Sequence, residues 1–215
     1  MKQSAVIRSL IALAALPLLT AGSASAQAPQ QTVAAAMPVY AHIVRFPVPA
    51  GFNPAFQKDN EGRFFIFEMI PKGEHIMSWS QMLTVTGING AANALPTPAQ
   101  YLQNFTQGYR KACPDSFVSR SLSESAPKAS EPALFFIGCG KVSLPNESPR
   151  SEAVIVGFFA SPKGIYSVQW AERSPAQDRA PVFDEGKWRP RLDALKTARL
   201  CDRVPGEAAP YPSCK

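Results

Sequence analysis

Only two histidines occur in the 215-residue chain, His42 and His75, and this scarcity limits acid–base and metal chemistry. His75 follows Glu74 after a Pro-Lys-Gly turn, and together with Glu68 these residues offer oxygen and nitrogen donors. Adjacent residues on a strand point to opposite faces, and a metal site needs more convergent ligands than these. The sequence therefore predicts a solvated loop at His75, with no metal and no cofactor.

Nucleophilic and acid catalysis have little more support. Cys139 between Gly138 and Gly140 could be a nucleophile with space around it, but half of a disulfide in a crowded strand is the simpler interpretation. No G-x-S-x-G motif occurs. Glu68 in an apolar run could have a raised pKa, although a glutamate at the edge or end of a strand is the commoner case. We predict no catalytic residue.

The four cysteines, Cys113, Cys139, Cys201 and Cys214, predict two disulfides if the chain works in an oxidising compartment. Three pairings are possible. Proximity along the chain favours Cys113 with Cys139 and Cys201 with Cys214, the second closing a proline-rich tail. Each bond would stabilise the fold by roughly 3 kcal/mol in the chain-entropy model. The spacings fit neither a zinc site nor a C-x-x-C redox motif.

Aromatic side chains offer two interpretations, a groove for a ligand or an ordinary core. Six residues are concerned: Trp79, Trp170, Trp188, Tyr101, Tyr109 and Tyr166. The core is favoured, because several of them lie on apolar strand or helix patterns. Two loops rich in Ala, Ser and Pro, Asn89–Pro98 and Ser123–Pro132, are the more plausible recognition surfaces.

The first 26 residues have the pattern of a cleaved export signal. Lys2 and Arg8 precede a short apolar stretch, Leu10–Leu19, and Ala24-Ser25-Ala26 is a small-x-small cleavage site. We predict cleavage after Ala26 and a periplasmic or secreted protein. No later run is long enough to predict stable insertion into a membrane.

Charge and composition indicate a globular domain with no nucleic-acid partner. The chain is 46% hydrophobic and 18% charged, which argues against extensive disorder. Two of the cations behind its net charge of +6 belong to the leader, and the rest are scattered. The nearest cluster, Lys187, Arg189 and Arg191, is interpreted as the solvated start of a helix rather than a site for an anionic partner.

Apolar runs predict the central strands. Three nearly continuous runs, Phe64–Ile70, Leu134–Cys139 and Ala153–Ala160, are typical of strands covered on both faces. The last leads through a Ser-Pro-Lys-Gly turn into Ile165–Glu172, whose alternation predicts one buried face and one wetter face bearing Ser167 and Gln169. Weaker strands are predicted at Ala41–Pro47, Met82–Ile88 and Ser116–Ser121.

Two helices are predicted. Thr97-Pro98-Ala99-Gln100 forms a capping box that begins a helix ending near Ala112. A shorter helix should run from just before Pro190, placed in its first turn, to about Leu200. The element order predicts an α+β fold, a mostly antiparallel sheet covered by helices. We divide the chain into the leader 1–26, a flexible lead-in 27–38, one domain 39–200 and a disulfide-pinned tail 201–215.

The element order and the segment Phe46–Phe52 (FPVPAGF) resemble the PsbP-like family, whose resemblance implies an α-β-α sandwich. The best-known members of that family are extrinsic accessory proteins of photosystem II. The segments Phe67–Val85, Gly108–Phe117 and Cys201–Cys214 are more similar to exported proteobacterial proteins without known chemistry. Because the two disulfides depart from the photosynthetic members, neither metal nor photosystem binding is carried over.

This poverty of catalytic groups favours a non-catalytic accessory or binding protein of the cell envelope, with an envelope protein or a small ligand as partner. Two alternatives stay open. An inhibitor or immunity protein would block an envelope enzyme with a protruding loop such as Asn89–Pro98. A carboxylate-dependent hydrolase would need a concave pocket with two carboxylates of perturbed pKa, a pair that the sequence does not reveal.

Overall fold

The computed structural model describes residues 31–90, 98–125, 127–128, 130–143 and 148–215. The leader predicted at 1–26 lies outside these residues. Along the described chain the elements are β1 (Thr32–Val39), β2 (His42–Pro49), β3 (Phe52–Asn60), β4 (Phe64–Pro71), β5 (Gln81–Asn89), α1 (Pro98–Ala112), β6 (Phe117–Ser121), β7 (Ala133–Val142), β8 (Arg150–Ser161), β9 (Gly164–Pro175), α2 (Glu185–Leu195) and β10 (Arg199–Asp202).

Seven strands form one large antiparallel sheet in the order β3-β4-β5-β9-β8-β7-β6. The hairpin of β8 and β9 lies at its centre, with Ser161 opposite Gly164 across a two-residue loop. These strands combine β-branched and aromatic residues, which pack well on a pleated surface. The strands predicted from apolar runs are all present in this sheet.

The other three strands form a small antiparallel sheet in the order β1-β2-β10. β1 and β2 are a hairpin that turns at Tyr40, a residue with φ of 53°. β10, from the end of the chain, pairs with the opposite edge of β2, with Leu200 opposite Val44. The first and last strands of the described chain therefore share one sheet.

The predicted fold class is wrong, as is the α-β-α sandwich implied by the family resemblance. Ten strands and only two helices form the described chain, and strands rather than helices cover much of the large sheet. One of its faces packs against the small sheet and α2. The reason is that β1 and β10 lack the strong apolar patterns from which strands are predicted, so two of the three strands of the small sheet were not predicted, and neither was β3 of the large sheet.

The main core lies between the two sheets. Its largest fully buried side chains come from the central strands and from α2, among them Trp170, Tyr166, Phe136, Leu83, Ile155 and Leu195. A second cluster lies on the opposite face of the large sheet, beneath α1, and includes Ile137, Val154 and Phe158. Burial on both faces is what the apolar runs of β7 and β8 predicted.

Helix α1 has the predicted bounds and the predicted apolar stripe. Tyr101, Leu102, Phe105 and Tyr109 pack against the second cluster. The proposed capping residue, Thr97, lies outside the described residues. Because α1 contacts β6, β7 and β8, it covers only one half of its face of the sheet.

Helix α2 begins earlier and ends earlier than predicted. Asp184 caps it by accepting a hydrogen bond from the Lys187 amide, so Pro190 lies inside the helix rather than in its first turn. The helix ends at Leu195, and the chain turns into β10 where the prediction continued the helix to Leu200. Leu192 and Leu195 are buried on α2, as their spacing predicted. The residues from Arg199 onward pair with the edge of β2 instead of continuing the helix.

The flexible lead-in predicted for residues 27–38 is also wrong from Thr32 onward, where β1 begins. β1 pairs with β2 along its whole length. Its backbone hydrogen bonds to β2 compensate for a run of small residues that carries no apolar alternation. The tail after Cys201 behaves as predicted in one respect, since a disulfide to Cys214 closes it.

The structure contains the two disulfides Cys113–Cys139 and Cys201–Cys214, the pairing favoured by proximity. The first joins the C-terminal end of α1 to β7 inside a small buried cluster with Val142. The second joins β10 to the tail. Disulfides of this kind indicate an oxidising, non-cytoplasmic compartment.

Candidate ligand-binding groove

The half of the large sheet that α1 leaves uncovered forms the floor of a groove. The cavity measures about 600 Å³. The side of α1 is one wall, and the loop between β4 and β5 is the other. Residues from all three parts line it: Phe64, Ile66, Glu68, Ile76, Met77, Trp79, Met82, Thr84, Thr86, Tyr101, Phe105, Tyr109, Arg150, Glu152, Gln169, Ala171 and Arg173.

A polar row crosses the floor of the groove at right angles to the strands. Glu68 on β4 is opposite Thr84 on β5, and Thr84 is opposite Gln169 on β9. Neighbouring strands lie about 4.8 Å apart, so these side chains emerge next to one another on one face. The row places an amide, a hydroxyl and a carboxylate between apolar neighbours.

The hydroxyls of the next row form hydrogen bonds with each other and with Gln169 of the first row. The Thr86 and Ser167 hydroxyls are 2.7 Å apart, and the Gln169 amide donates to Ser167 Oγ at 3.0 Å. Ile66 flanks this row as the partner of Thr86. The hydroxyls of this second row are therefore satisfied within the fold.

The α1 wall presents aromatic side chains. Tyr101 and Phe105 both make edge-on contacts with Phe158, at centroid distances of 5.3 Å each. The Tyr109 hydroxyl donates to Glu152 Oε1 at 3.0 Å, and burial raises the pKa of Tyr109 well above its usual value. These contacts fix the helix side chains against the sheet, so the wall is rigid.

The opposite wall is the loop between β4 and β5, which Glu74 closes. The Glu74 carboxylate accepts hydrogen bonds from the Ser80 amide at 2.7 Å and from the Ser80 hydroxyl at 2.5 Å. His75 Nδ1 accepts from the Met77 amide at 3.2 Å. Both polar residues of the suggested metal pair are thus used to shape the loop, which leaves the Met77 side chain 66% exposed.

An ionic cluster lies at one end of the groove. Arg173 donates to Glu152 Oε2 at 3.0 Å, and Arg150 lies 3.9 Å from the same oxygen. The Arg173 guanidinium also stacks on Trp79, 3.7 Å from the ring centroid. A further cavity of about 490 Å³, lined in part by Trp79, Arg150 and Arg173, continues the groove past this point.

Glu68 differs from the other ionic residues of the groove. It is half-buried on a strand in the interior of the sheet, not at an edge as the commoner interpretation held. Burial raises its pKa, and the charge of Arg173 partly opposes that rise. In the part of the chain that the structure describes, no side chain or amide forms a hydrogen bond or ion pair with its carboxylate.

The six aromatic residues of the sequence divide between core and groove. Trp170, Trp188 and Tyr166 are buried in the main core, and the Trp170 indole donates to Gln81 at 3.0 Å. Trp79, Tyr101 and Tyr109 line the groove. The latter three also belong to or pack against the buried cluster beneath α1, so the core interpretation holds for all six, and the groove interpretation stays a prediction for these three.

His42 lies outside the groove, where the small sheet meets β9. Its Nδ1 is 2.9 Å from the Tyr166 hydroxyl, and its Nε2 is 3.4 Å from Asp202. Burial lowers the pKa of His42, although Asp202 acts in the opposite direction. Burial also raises the pKa of Tyr166 to about 12. The trio joins three strands and is closed to a substrate, because Tyr166 is fully buried.

The glycines beside Cys139 allow a close approach of the backbone rather than access to a thiol. A Cβ at Gly140 would clash with the carbonyl oxygens of Gln177 and Arg179, and one at Gly138 would lie 2.9 Å from Val118. The segment before α2 therefore crosses the strand at this point. Cys139 itself is fully buried in its disulfide.

The basic cluster near α2 is neutralised within the fold. Lys187 and Arg191 both pair with Glu172, and Arg191 is buried between Trp170 and Trp188. Arg189, which is exposed, lies within 4 Å of Glu185 and Asp193. The interpretation as a wholly solvated helix start is therefore wrong for Arg191.

Neither of the two predicted recognition loops contributes a described residue to the lining of the groove. Residues 91–97 of the Asn89–Pro98 loop lie outside the described residues. Described members of Ser123–Pro132 line a smaller cavity of about 310 Å³ with Lys196 and Arg199.

Among the described residues, no three His, Cys, Asp or Glu side chains converge as a metal would require. No described helix has the length and apolarity to cross a membrane.

Sequence reasoning missed most of the groove. The alternation of β9 predicted a wetter face with Ser167 and Gln169; Gln169 lines the floor, whereas Ser167 is fully buried. No sequence signal indicated Glu152 and Arg173, because each stands alone in the sequence and they meet only through the pairing of β8 with β9.

No family model and no curated protein matches the chain.

Proposed function

We propose that this protein is a non-catalytic binding protein of the cell envelope that holds a small amphipathic ligand in the groove beside α1. The observation that carries the proposal is the half of the sheet that α1 leaves open, with a polar row on a mostly apolar surface. Ligand sites are typically concave and mostly apolar, with a few polar groups that orient the ligand. A volume of about 600 Å³ suits a small organic molecule.

The location within the envelope is part of the same proposal. The two disulfides fit an oxidising compartment, and the sequence pattern of Lys2–Ala26, which is typical of a cleaved export signal, supports the same location. We propose cleavage after Ala26 and a periplasmic or secreted protein. A soluble ligand or one drawn from the membrane would then reach the groove without entering the cytoplasm.

A hydrolase that uses two carboxylates has less support than a binding protein. Glu68 and Glu152 both line the groove, but they lie three strands apart, or about 14 Å across the sheet. Glu152 is already bound by Tyr109 and Arg173. Paired carboxylates in glycoside hydrolysis are separated by roughly 5–9.5 Å, with one free to give a proton.

The proposal is tested with Nile red, an uncharged apolar dye, titrated into the mature protein. We expect saturable one-to-one binding with a rise in dye fluorescence. Ile66→Asp places a carboxylate on the floor of the groove and should weaken dye binding at least tenfold, because an apolar contact is replaced by a charge that must lose water.

Val182→Asp is the matched control, since Val182 is 79% exposed and does not line the groove. Its dye affinity should equal that of the wild type. A wild-type protein that shows no saturable binding contradicts the proposal, and so does an equal loss of affinity in both variants.

A further inference from the structure

We propose, building on the proposed function, that the groove selects an amphipathic cation, a molecule with an aliphatic body and a primary ammonium group that donates to Glu68. The polar row fixes where the ammonium lies, and the apolar lining on either side of it receives the body. The ligand is thus specified by its chemistry: an alkylammonium ion rather than a fatty acid or a sugar.

The ionic residues of the groove lining indicate which group lacks a direct partner. Four of them face the groove, Glu68, Arg150, Glu152 and Arg173. Glu152 binds Arg173 directly and lies near Arg150, so three of the four form one cluster. Of these four residues, only Glu68 has no hydrogen bond or ion pair with the described part of the chain. A bound cation would provide the Glu68 carboxylate with an ion pair.

A half-buried carboxylate without a donor is costly to the protein. Removing such a group from water without compensating hydrogen bonds is unfavourable, and a bound ammonium supplies three donors together with the opposite charge. The raised pKa of Glu68 reflects this incomplete solvation. Charge-assisted hydrogen bonds are roughly twice as strong as neutral ones, so an ammonium group should bind more tightly at Glu68 than a neutral donor.

The lining next to Glu68 favours an aliphatic body over a sugar. Sugars commonly stack on an open aromatic face, yet Trp79 is only 7% exposed and Arg173 covers one of its faces. The most exposed apolar groups of the lining are Phe64 and Met77, at 37% and 66%. Methionine adapts its shape to different apolar partners, which suits a chain without fixed geometry.

The test is competition against bound Nile red at pH 7.5 by three ligands that differ only in their head group. The three are n-octylammonium, 1-octanol and octanoate, each kept below the concentration at which it forms micelles. We expect octylammonium to displace the dye at least tenfold more effectively than octanoate, with octanol between them. Repulsion from Glu68 should make octanoate the weakest competitor.

Glu68→Gln is the decisive variant, because it retains the size of the side chain and removes its charge. In this variant the preference for octylammonium over octanol should disappear, while displacement by octanol stays within about twofold of wild type. Glu185→Gln is the control. Glu185 is an exposed carboxylate on α2, on the other side of the large sheet, and its loss should leave the preference intact.

Two results would overturn the inference: octanoate competing as well as octylammonium, or Glu68→Gln keeping the full preference for the cation. In both cases Nile red would still bind, so the groove would stand as a site while its ligand class would be wrong. Failure of the proposed function is seen earlier, as a wild type that does not bind the dye. Circular dichroism of each variant shows whether it has folded.

Discussion

At the scale of single residues, burial shifts the pKa values of His42 and Glu68 in opposite directions. Both side chains lose water, which disfavours the charged form of each. His42 is compensated by Tyr166 and Asp202, two partners that make it part of the scaffold. Glu68 is left facing a cavity, which makes it the residue most open to a ligand.

The lowered pKa of His42 makes stability depend on pH. The unfolded chain takes up a proton near pH 6.5, the usual value for histidine, whereas the folded chain resists protonation until a lower pH. Stability is therefore fully present above pH 6.5 and is lost as the pH falls from there through the folded pKa. Urea unfolding followed between pH 8 and pH 5 should show this loss.

His42→Gln should flatten that pH dependence in the window below pH 6.5. At pH 8 the variant should be less stable than wild type by about 1 kcal/mol, since the hydrogen bond to Tyr166 is weakened or lost. His75→Gln is the control, because His75 lies in an exposed loop. The same slope in wild type and His42→Gln would show that other groups cause the acid sensitivity.

At the scale of elements, the disulfide Cys113–Cys139 holds the end of α1 on β7 and so holds one wall of the groove. Replacing both cysteines with alanine should cost about 3 kcal/mol of unfolding free energy, from the chain-entropy model for a loop of 26 residues. It should also weaken Nile red binding severalfold, because Tyr109 and Phe105 lose their fixed positions. Guanidinium unfolding and dye titration measure the two effects.

The second disulfide provides the comparison. Cys201→Ala with Cys214→Ala should lower stability by a similar amount, but it lies away from the groove and should leave dye affinity unchanged. Equal loss of affinity in both double variants would mean that the effect on the groove follows from general destabilisation.

Elements that form from nearby residues were predictable, whereas those that depend on distant partners were not. The β8–β9 hairpin and α1 carry their apolar pattern, turn residues or stop signal within a single stretch. β3 is almost wholly exposed, with only Phe52 buried, and β10 has four residues. Both are strands only because an edge lies beside them, and no local pattern reports that.

The groove shows the same limit more strongly. Glu68, Thr84 and Gln169 stand on three strands and become neighbours only through the strand order. Their proximity is a property of topology, and no spacing in the sequence reveals it. The wetter face of β9 was visible as alternation, but the sequence did not indicate that α1 would stop short and leave that face open.

At the scale of the whole molecule, the small sheet and α2 seal one face of the large sheet, while α1 half-covers the other. Leu200 on β10 is 6% exposed and completes this seal. Leu200→Ala should lower the free energy of unfolding by about 2–4 kcal/mol through the cavity that it leaves. Thermal unfolding of the intact chain measures the loss.

Val204→Ala is the neighbouring control. Val204 is 48% exposed, so its truncation should change stability by no more than about 0.5 kcal/mol. If Leu200→Ala is equally mild, β10 contributes little to the seal, and this face of the large sheet depends on the β1–β2 hairpin and α2.

β2 lies between a strand that precedes it and a strand from the far end of the chain. A polypeptide is synthesised in one direction, so one edge of β2 stays unpaired until the residues of β10 have been made. During that interval the main core stays open on one side, and premature pairing with another chain is a hazard. Completion of the fold is thus a late event, because it requires the four residues of β10, Arg199–Asp202, to pair with β2.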